Sequence, residues 1–309
     1  MKNLGRIAFF GVLCLCAWSD LSHAGDTSAD PGCEIATHAA HVGGGTLYYN
    51  TAGQGRRVLL LHGLFAQKEQ WHGMLCLLAA AGYAGIAPDL PGYGKSHGFA
   101  VQDYALERQV ALLHQLMASI RIEAFDLAGN SMGGTIAALY ARQYPRQVRT
   151  LAFIGSPLGI VGWNQPVKEA IYQGINPFIP VDMQQVNLEL DLLFVKPPSL
   201  PEAAKETAVK DYVERNRHYQ QIWDIVNLYD TALARAPKVR PPTLIVWGMQ
   251  DRIFSVDGAA RLRSRYPRGA LVILPDAGHL AHLENAAESA AIYINFLQRT
   301  RASRTVTLR

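Results

Sequence analysis

The chain has 309 residues, enough for one large α/β domain with an insertion. Hydrophobic residues make up 49% of the chain and charged residues 17%, which excludes a disordered protein and gives no sign of a repeat array. The net charge of +4 is too mild to indicate a nucleic-acid partner, so we expect none.

The first 24 residues have the pattern of a secretory signal peptide. Lys2 and Arg6 form a basic start, an apolar run follows from Ile7 to Trp18, and a small-x-small cleavage site ends at Ala24. The apolar run is shorter than the ~20 residues that a helix needs to span a bilayer. We therefore predict that residues 1–24 are a cleaved signal peptide and that the protein is periplasmic or secreted. A membrane anchor formed by an uncleaved N-terminal segment is the alternative.

Strand and helix patterns alternate through the next part of the chain. Residues 35–49, interrupted by three glycines at 43–45, predict an antiparallel hairpin at the edge of a sheet. Short apolar runs then predict buried strands at 57–62, 84–88, 125–128 and 150–154, and longer patterns predict helices at 70–81, at 104–120 and from 135 to near Pro145. Strands that alternate with helices of this length indicate a parallel sheet covered by helices on both faces.

The alternation stops between residues 157 and 238, which contain several prolines and no clear strand. Helical patterns occur there at 167–173 and 202–228. Strands resume at 243–247 and 271–274, and an amphipathic helix follows at 286–299. We predict an α/β fold with a helical cap inserted after the sixth strand, divided into core residues 25–156, cap residues 157–238 and core residues 239–309.

An insertion between parallel strands emerges at their carboxyl edge, where ligands bind in open α/β sheets. The cap is therefore expected to roof the site. Its apolar side chains have two interpretations, the lining of an acyl pocket or the core of the cap itself, and the second is favoured for most of them: Ile175, Phe178, Ile179, Leu188, Leu192, Leu193 and Phe194.

The pentapeptide 129–133, Gly-Asn-Ser-Met-Gly, carries the strongest chemical signal. It lies between a predicted strand and a predicted helix, the setting in which Gly-x-Ser-x-Gly forms a nucleophile elbow. The turn is strained, and a side chain at either glycine would press on the neighbouring strand or helix. We therefore predict that Ser131 is the nucleophile.

A serine hydroxyl needs a general base and an acid that orients the base. His279 follows a buried strand and a glycine, and we predict that it is the base. Asp251 follows another buried strand and is the predicted acid, with Asp257 as the local alternative. His62 begins a His-Gly turn, and we expect it to brace the adjacent loop rather than to exchange protons.

A tetrahedral intermediate needs two preorganised N–H donors. The backbone of Met132, at the start of the elbow helix, is one expected donor. The backbone of Leu64, in the loop after His62-Gly63, is the other, and Phe65 is the alternative.

These segments together resemble the α/β-hydrolase superfamily. His62-Gly63-Leu64, residues 89–94, the elbow 129–134, residues 247–251 and Gly278-His279 occur in the order of that superfamily, and the match covers about residues 45–298. Residues 61–71 are similar to capped bacterial lipases and esterases and to monoacylglycerol lipases. Meta-cleavage carbon–carbon hydrolases share the elbow, but they typically carry a glycine-rich oxyanion loop, whereas this chain has Leu64-Phe65-Ala66.

The resemblance implies a serine hydrolase that cleaves carboxylic esters through an acyl-enzyme. The expected substrate is a small-molecule or lipid ester. Whether the cap makes a transient contact with a lipid interface is left open. Hydrolysis of carbon–carbon bonds, amides or lactones on the same triad is one alternative. A ligand-binding protein with slow turnover is the other. No cofactor or metal is expected, because no Cys/His spacing resembles a metal site. The sequence does not fix the acyl chain length or the oligomeric state.

Cys33 and Cys76 remain after removal of the predicted signal peptide. In an oxidising compartment they can form a disulfide. A buried free thiol on an apolar helix face is the alternative, and the sequence does not decide between the two.

Overall fold

The computed structural model describes residues 33–235 and 241–307, so the predicted signal peptide lies outside the described residues. One sheet of eight strands has the order β1-β2-β4-β3-β5-β6-β7-β8. The strands are β1 (Ala36–Val42), β2 (Gly45–Ala52), β3 (Arg56–Leu61), β4 (Tyr83–Pro88), β5 (Phe125–Ser131), β6 (Val148–Pro157), β7 (Thr243–Gly248) and β8 (Gly269–Leu274).

The predicted hairpin at the edge of the sheet is confirmed. β1 and β2 pair antiparallel, and β2 also pairs antiparallel with β4. Gly43 and Gly44 connect the two hairpin strands with φ of 58° and 88°, a region that glycine enters without steric cost. All remaining neighbours in the sheet pair parallel. Their carboxyl ends therefore lie along one edge of the sheet.

Helices cover both faces of the sheet, as the sequence predicts. Leu59 and Leu61 of β3 pack into one core cluster, whereas Val58 and Leu60 pack into the other, because successive side chains of a strand point to opposite faces. The helices of the sheet-forming part are α1 (His72–Ala80), α2 (Leu106–Ser119), α3 (Met132–Gln143), α9 (Asp257–Arg265), α10 (Ala281–Glu284) and α11 (Ala286–Thr307), with short 3₁₀ helices at Lys68–Trp71 and Val101–Tyr104.

A helical cap follows the sixth strand, again as predicted. Its described helices are α4 (Gln165–Tyr172), α5 (Met183–Leu193), α6 (Glu202–Glu214), α7 (Asn216–Asn227) and α8 (Ala232–Arg235). The pattern at 202–228 is two helices separated at Arg215 rather than one. Helix α5 was not predicted from the sequence. Its N-cap residue is Asp182, whose side chain accepts a hydrogen bond from the Gln185 N–H at 2.8 Å.

A disulfide joins Cys33 to Cys76, which resolves the alternative that the sequence left open. It ties the segment that precedes β1 to helix α1. Among the helices that the structure describes, none is both long and apolar enough to cross a membrane.

Candidate active site

Ser131 lies at the junction where β5 ends and α3 begins. Its φ of 51° is in the left-handed region that non-glycine residues rarely adopt. A Cβ atom at Gly129 would lie 2.3 Å from the carbonyl oxygen of Gly133, and one at Gly133 would lie 2.3 Å from that of Leu61. The close approach predicted for both glycines is therefore present, and it permits the sharp turn that presents the Ser131 hydroxyl.

The loops after β7 and β8 bring Asp251 and His279 together. Nδ1 of His279 lies 3.1 Å from Oδ2 of Asp251, and both side chains are buried. The other carboxylate oxygen, Oδ1, accepts hydrogen bonds from the backbone N–H groups of Ile253 (2.8 Å) and Phe254 (3.0 Å). These bonds fix the carboxylate plane against the histidine ring. Asp257, the alternative acid, begins α9, where it accepts a hydrogen bond from the exposed Ser255 hydroxyl.

Ser156, which the sequence reading did not single out, is part of the same cluster. It lies near the end of β6, is fully buried and donates a hydrogen bond to Oδ2 of Asp251. Its Oγ is also 2.9 Å from Nδ1 of His279. The signal that could have identified Ser156 is its position. It is a small polar residue near the carboxyl end of β6, and β6 lies between β5 and β7 in the sheet.

This arrangement determines which nitrogen of His279 can act as a base. An ionised aspartate only accepts hydrogen bonds, so Nδ1 of His279 carries the proton that faces Oδ2 of Asp251. Nε2 then keeps a lone pair. An imidazole held in this way can take a proton from a hydroxyl and return it to a leaving group.

His62 braces the loop that follows β3, in agreement with the role expected from the sequence. Its Nε2 accepts a hydrogen bond from the Leu90 N–H at 3.0 Å, so its Nδ1 carries the proton and donates to the Gly63 carbonyl at 2.8 Å. Burial lowers the pKa of His62 to about 4, which keeps the ring neutral near neutral pH. The next residue of this loop, Leu64, lines the pocket. Phe65 has a φ of 54°, so this loop is strained as well.

A buried ion pair at Lys68 anchors the segment that follows β3. Nζ of Lys68 lies 2.9 Å from Oδ2 of Asp89 and 2.8 Å from Oε1 of Glu69. Burial lowers the pKa of Lys68, but the charges of Asp89 and Glu69 outweigh burial and raise it overall, so the amine stays charged. The Lys68 backbone also donates to Oδ1 of Asp89 at 2.8 Å. The loop after β3 is therefore anchored to the loop after β4.

A second buried network, also missed from the sequence, links three loops around Ser131. Gln70 accepts from the Gly63 N–H and donates to Oδ1 of Asn130, both at 3.1 Å. Nδ2 of Asn130 donates to the carbonyl oxygens of Ile154 at 3.0 Å and of His279 at 3.3 Å. Gln70 and Asn130 thus connect the loop after β3, the elbow and the histidine loop.

Ser131 and His279 line one pocket beneath the cap, together with Leu64 and Gln70. Of the seven apolar cap side chains considered from the sequence, Phe178, Leu193 and Phe194 line this pocket, whereas Ile179 and Leu192 are buried in the core. The remaining lining residues are mostly apolar or aromatic, with one buried carboxylate, Glu189: Gly63, Phe65, Ala66, Asn130, Trp163, Glu189, Leu190, Ile253 and Leu280.

The other described histidines lie outside the Ser131–His279 pair. His72 is hydrogen-bonded to Asn50, and His218 to the Gly92 carbonyl. His282 is buried and stacks on Trp71 with ring centroids 4.5 Å apart. Over the ranges 33–235 and 241–307, no cluster of three or more His, Cys, Asp and Glu residues has the arrangement of a metal site.

Comparison with known proteins gives the family. The profile of the alpha/beta hydrolase fold matches residues 56–286, which is most of the chain. The chain belongs to this family. The α/β hydrolase is 28% identical over 247 residues to Lipase 1 of Psychrobacter immobilis, a match that covers 78% of this chain and 77% of that protein. It is also 28% identical over 255 residues to monoacylglycerol lipase abhd6-B of Xenopus laevis, covering 78% and 74% of the two chains.

A solved structure and one further relative of this hydrolase extend the comparison. The crystal structure of a bacterial membrane phospholipase A matches with a TM-score of 0.79 and 31% identity, covering 86% of this chain and 87% of that one. A 2-hydroxy-6-oxononadienedioate/2-hydroxy-6-oxononatrienedioate hydrolase of Pseudomonas putida is 26% identical over 276 residues, covering 82% and 91%. The relatives of this hydrolase therefore include several lipases and also a hydrolase of another class.

Proposed function

We propose that this α/β hydrolase is a serine lipase or esterase that cleaves carboxylic esters through an acyl-enzyme. The observation that carries the proposal is the placement of Ser131 and His279 in one pocket, with Nδ1 of His279 held 3.1 Å from Oδ2 of Asp251. A hydroxyl on a strained turn, an imidazole with an available lone pair and a buried carboxylate are the parts that acyl transfer needs.

In the first half of the proposed reaction, Oγ of Ser131 attacks the ester carbonyl carbon while Nε2 of His279 takes the hydroxyl proton. The carbonyl oxygen becomes an oxyanion, which the backbone N–H groups of Leu64 and Met132 stabilise; removal of one such donor typically costs about 2.7–4 kcal/mol in the barrier. When the carbon–oxygen bond breaks, His279 returns the proton to the departing alcohol. The products of this half are the alcohol and acylated Ser131.

In the second half, water attacks the acyl carbon while His279 takes one of its protons. The second tetrahedral intermediate collapses, the acid leaves, and His279 returns the proton to Oγ of Ser131. Asp251 keeps the ring in one tautomer and stabilises the imidazolium in both halves. All of the protons are accounted for by His279 and water, so the proposed cycle requires no cofactor.

The pocket and the relatives support the proposed substrate class. Phe178, Leu193 and Phe194 from the cap give the pocket an apolar lining that suits an acyl chain. The named lipases among the relatives support the same class. We propose a small-molecule or lipid ester as substrate, with a transient contact of the cap at a lipid interface.

Carbon–carbon bond hydrolysis is the second candidate, because the Pseudomonas putida relative acts on dienedioate and trienedioate compounds. Amide or lactone hydrolysis would use the same residues. A ligand-binding protein with slow turnover is a third candidate, and tight saturable binding with very low turnover would identify it.

We also propose that the protein works in the periplasm or outside the cell. The signal-peptide pattern of residues 1–24 and the disulfide between Cys33 and Cys76 support an oxidising compartment. N-terminal sequencing of protein recovered from the periplasm tests this proposal. A mature N-terminus at Gly25 would support cleavage, whereas an intact N-terminus in the membrane fraction would support the anchored alternative.

Hydrolysis of p-nitrophenyl esters with acyl chains from about two to sixteen carbons tests the ester chemistry. Ser131→Ala removes the proposed nucleophile, and Ser119→Ala, at the end of α2, is the matched control. We expect activity in the wild type and in Ser119→Ala, and background rates in Ser131→Ala. A folded wild type that hydrolyses no ester but cleaves a dienoate substrate would overturn the ester proposal and favour the second candidate.

A further inference from the structure

The end of cap helix α5 is bonded to both of the loops that carry Asp251 and His279. We refer to residues 191–195 as the α5 end. Arg252, which directly follows Asp251, donates a hydrogen bond from Nη1 to the carbonyl oxygen of Asp191 at 2.8 Å. The last carbonyl groups of a helix have no partner within the helix, and this bond satisfies one of them. The α5 end is therefore fixed to the loop after β7.

Glu284 fixes the same segment to the loop after β8. Its carboxylate, at the end of α10, accepts hydrogen bonds from the Val195 N–H through Oε1 and from the Gly278 N–H through Oε2, both at 2.6 Å. Hydrogen bonds with one charged partner are roughly twice as strong as neutral ones. A Cβ atom at Gly278 would lie 3.2 Å from the Leu193 carbonyl oxygen, so the two backbones approach closely here. Because Gly278 directly precedes His279, Glu284 holds the backbone that carries the proposed base.

The α5 end also forms part of the pocket wall. Leu193 and Phe194 line the pocket that contains Ser131, whereas Glu284 lies outside that lining. An acyl chain in the pocket would pack against these two side chains, and their segment is bonded through Glu284 to the residue next to His279. Energetic coupling between two positions can be carried by such a continuous chain of packed side chains and hydrogen bonds. The pocket wall and the proposed base thus share one support.

We propose that Glu284 is a positioning residue that couples the α5 end to His279, so that an acyl chain seated against Leu193 and Phe194 speeds the reaction in addition to tightening binding. This inference rests on the proposed ester hydrolysis and concerns the regulation of that site by its own substrate. Binding energy from a part of the substrate that does not react can improve orientation at the reacting centre. The carboxylate of Glu284 bonds to backbone N–H groups, so it acts through the position of the loop that carries His279.

The test compares p-nitrophenyl acetate with p-nitrophenyl octanoate. Both esters release the same phenol, and only the octanoyl chain extends far enough from its carbonyl group to fill an apolar pocket. Each variant is compared with the wild type on the same ester, which cancels the difference in intrinsic reactivity between the two esters. His279 takes part in both halves of the proposed cycle, so kcat responds to its position whichever half is slower.

Glu284→Gln keeps the size of the side chain but presents one acceptor oxygen instead of two, so it cannot make both bonds as they stand. We expect it to lower kcat by about tenfold for the octanoate and by about twofold for the acetate, with little change in KM. Arg252→Met removes the other bond to the α5 end and should lower the octanoate-to-acetate ratio of kcat by a smaller factor.

Asp182→Ala is the matched control for both changes. It removes the N-cap residue at the other end of α5, so it weakens the same helix without touching the loops after β7 and β8. It should keep the wild-type ratio of kcat for the two esters. Thermal unfolding of each variant establishes that it is folded.

The outcomes separate the two proposals. If folded wild type hydrolyses neither ester, ester hydrolysis itself fails. If hydrolysis depends on Ser131 but Glu284→Gln lowers kcat equally for both esters, or leaves kcat unchanged, only the coupling is overturned. An equal loss of the ratio in Asp182→Ala would also overturn it, because it would show that any weakening of α5 has the same effect.

Discussion

The hydroxyl of Ser156 donates a hydrogen bond to Oδ2 of Asp251, the carboxylate oxygen that also lies 3.1 Å from Nδ1 of His279. One oxygen atom therefore receives two donors, one from β6 and one from the loop after β8. A hydrogen bond to a charged group is worth about 1.5–3 kcal/mol, roughly twice the usual value. Ser156 consequently contributes to the position of the carboxylate that orients His279.

Removing that hydroxyl tests its contribution. Ser156→Ala is expected to lower kcat by about tenfold, which corresponds to ~1.4 kcal/mol in the barrier, because Asp251 and His279 are then less firmly oriented. KM should change little, since Ser156 is not among the residues that line the pocket. Steady-state kinetics on a p-nitrophenyl ester measure both constants.

Ser289→Ala is the matched control for this change. Ser289 is also fully buried, and its hydroxyl bonds to the Ala281 carbonyl at 3.0 Å rather than to Asp251. We expect it to lower thermal stability without a comparable loss in kcat. Equal losses of kcat in the two variants would show that Ser156 acts only through general stability.

Gln70 is expected to influence both stability and rate. Gln70→Leu leaves the Gly63 N–H and Oδ1 of Asn130 buried without their present partner, at a cost of about 1–3 kcal/mol for each group. Because the same bonds hold the loop after β3 against the elbow, kcat should fall as well. Urea unfolding and ester kinetics measure the two effects.

The control for Gln70 is Gln109, a buried glutamine on α2 that donates to the Tyr104 carbonyl at 2.8 Å. Gln109→Leu should reduce stability and leave kcat near the wild-type value. If Gln70→Leu behaves in the same way, the network supports the fold alone and has no effect on the reaction.

His282 should make the protein sensitive to acid. Burial, assisted by the neighbouring His279, lowers the pKa of His282 to about 3, whereas an unfolded histidine has a pKa of ~6.5. The folded state therefore binds fewer protons than the unfolded state between these values. The resulting stability is fully present above pH ~6.5 and is lost progressively as the pH falls toward about 3.

A variant without the titrating group reveals this dependence. The free energy of unfolding of His282→Phe, minus that of the wild type, should increase by about 3 kcal/mol as the pH falls from 7 to 4, so the variant becomes relatively more stable in acid. His41→Gln, at an exposed position, should show no such trend. Urea unfolding at a series of pH values provides the measurement, and a parallel pH dependence in the wild type and His282→Phe would contradict the prediction.

The disulfide is expected to stabilise the fold without affecting the reaction. Cys33 and Cys76 are separated by 43 positions in the sequence, and the loop-entropy relation gives about 4 kcal/mol for a ring of that size. The double variant Cys33→Ser/Cys76→Ser should lose a stability of that order and keep its kcat at 25 °C. Unfolding of the wild type with and without reductant is the companion measurement. A wild type that reductant does not destabilise would contradict the prediction.

Local patterns were sufficient to predict the sheet, the elbow and the order of the elements. Each of these depends on short apolar runs, on glycine spacing or on residues that directly follow a strand, as at Ser131, Asp251 and His279. Ser156 and Gln70 could not be found in this way, because their roles arise from contacts between residues that are far apart in the sequence. Helix α5 was missed although Met183, Val186, Leu190 and Leu193 are spaced by three or four residues, as on one face of a helix.

The strands on either side of the cap are neighbours in the sheet, and they pair in parallel from Leu151 with Thr243 to Ile154 with Val246. Any segment that leaves β6 and returns to β7 can occupy this position without changing the pairing of the strands. The cap can therefore be exchanged during evolution as one continuous stretch of sequence. Phe178, Leu193 and Phe194 of the pocket lining belong to it, whereas Ser131 ends β5, and Asp251 and His279 lie in the loops after β7 and β8. A lineage with this architecture can change the lining of its pocket while it keeps the proposed reactive residues.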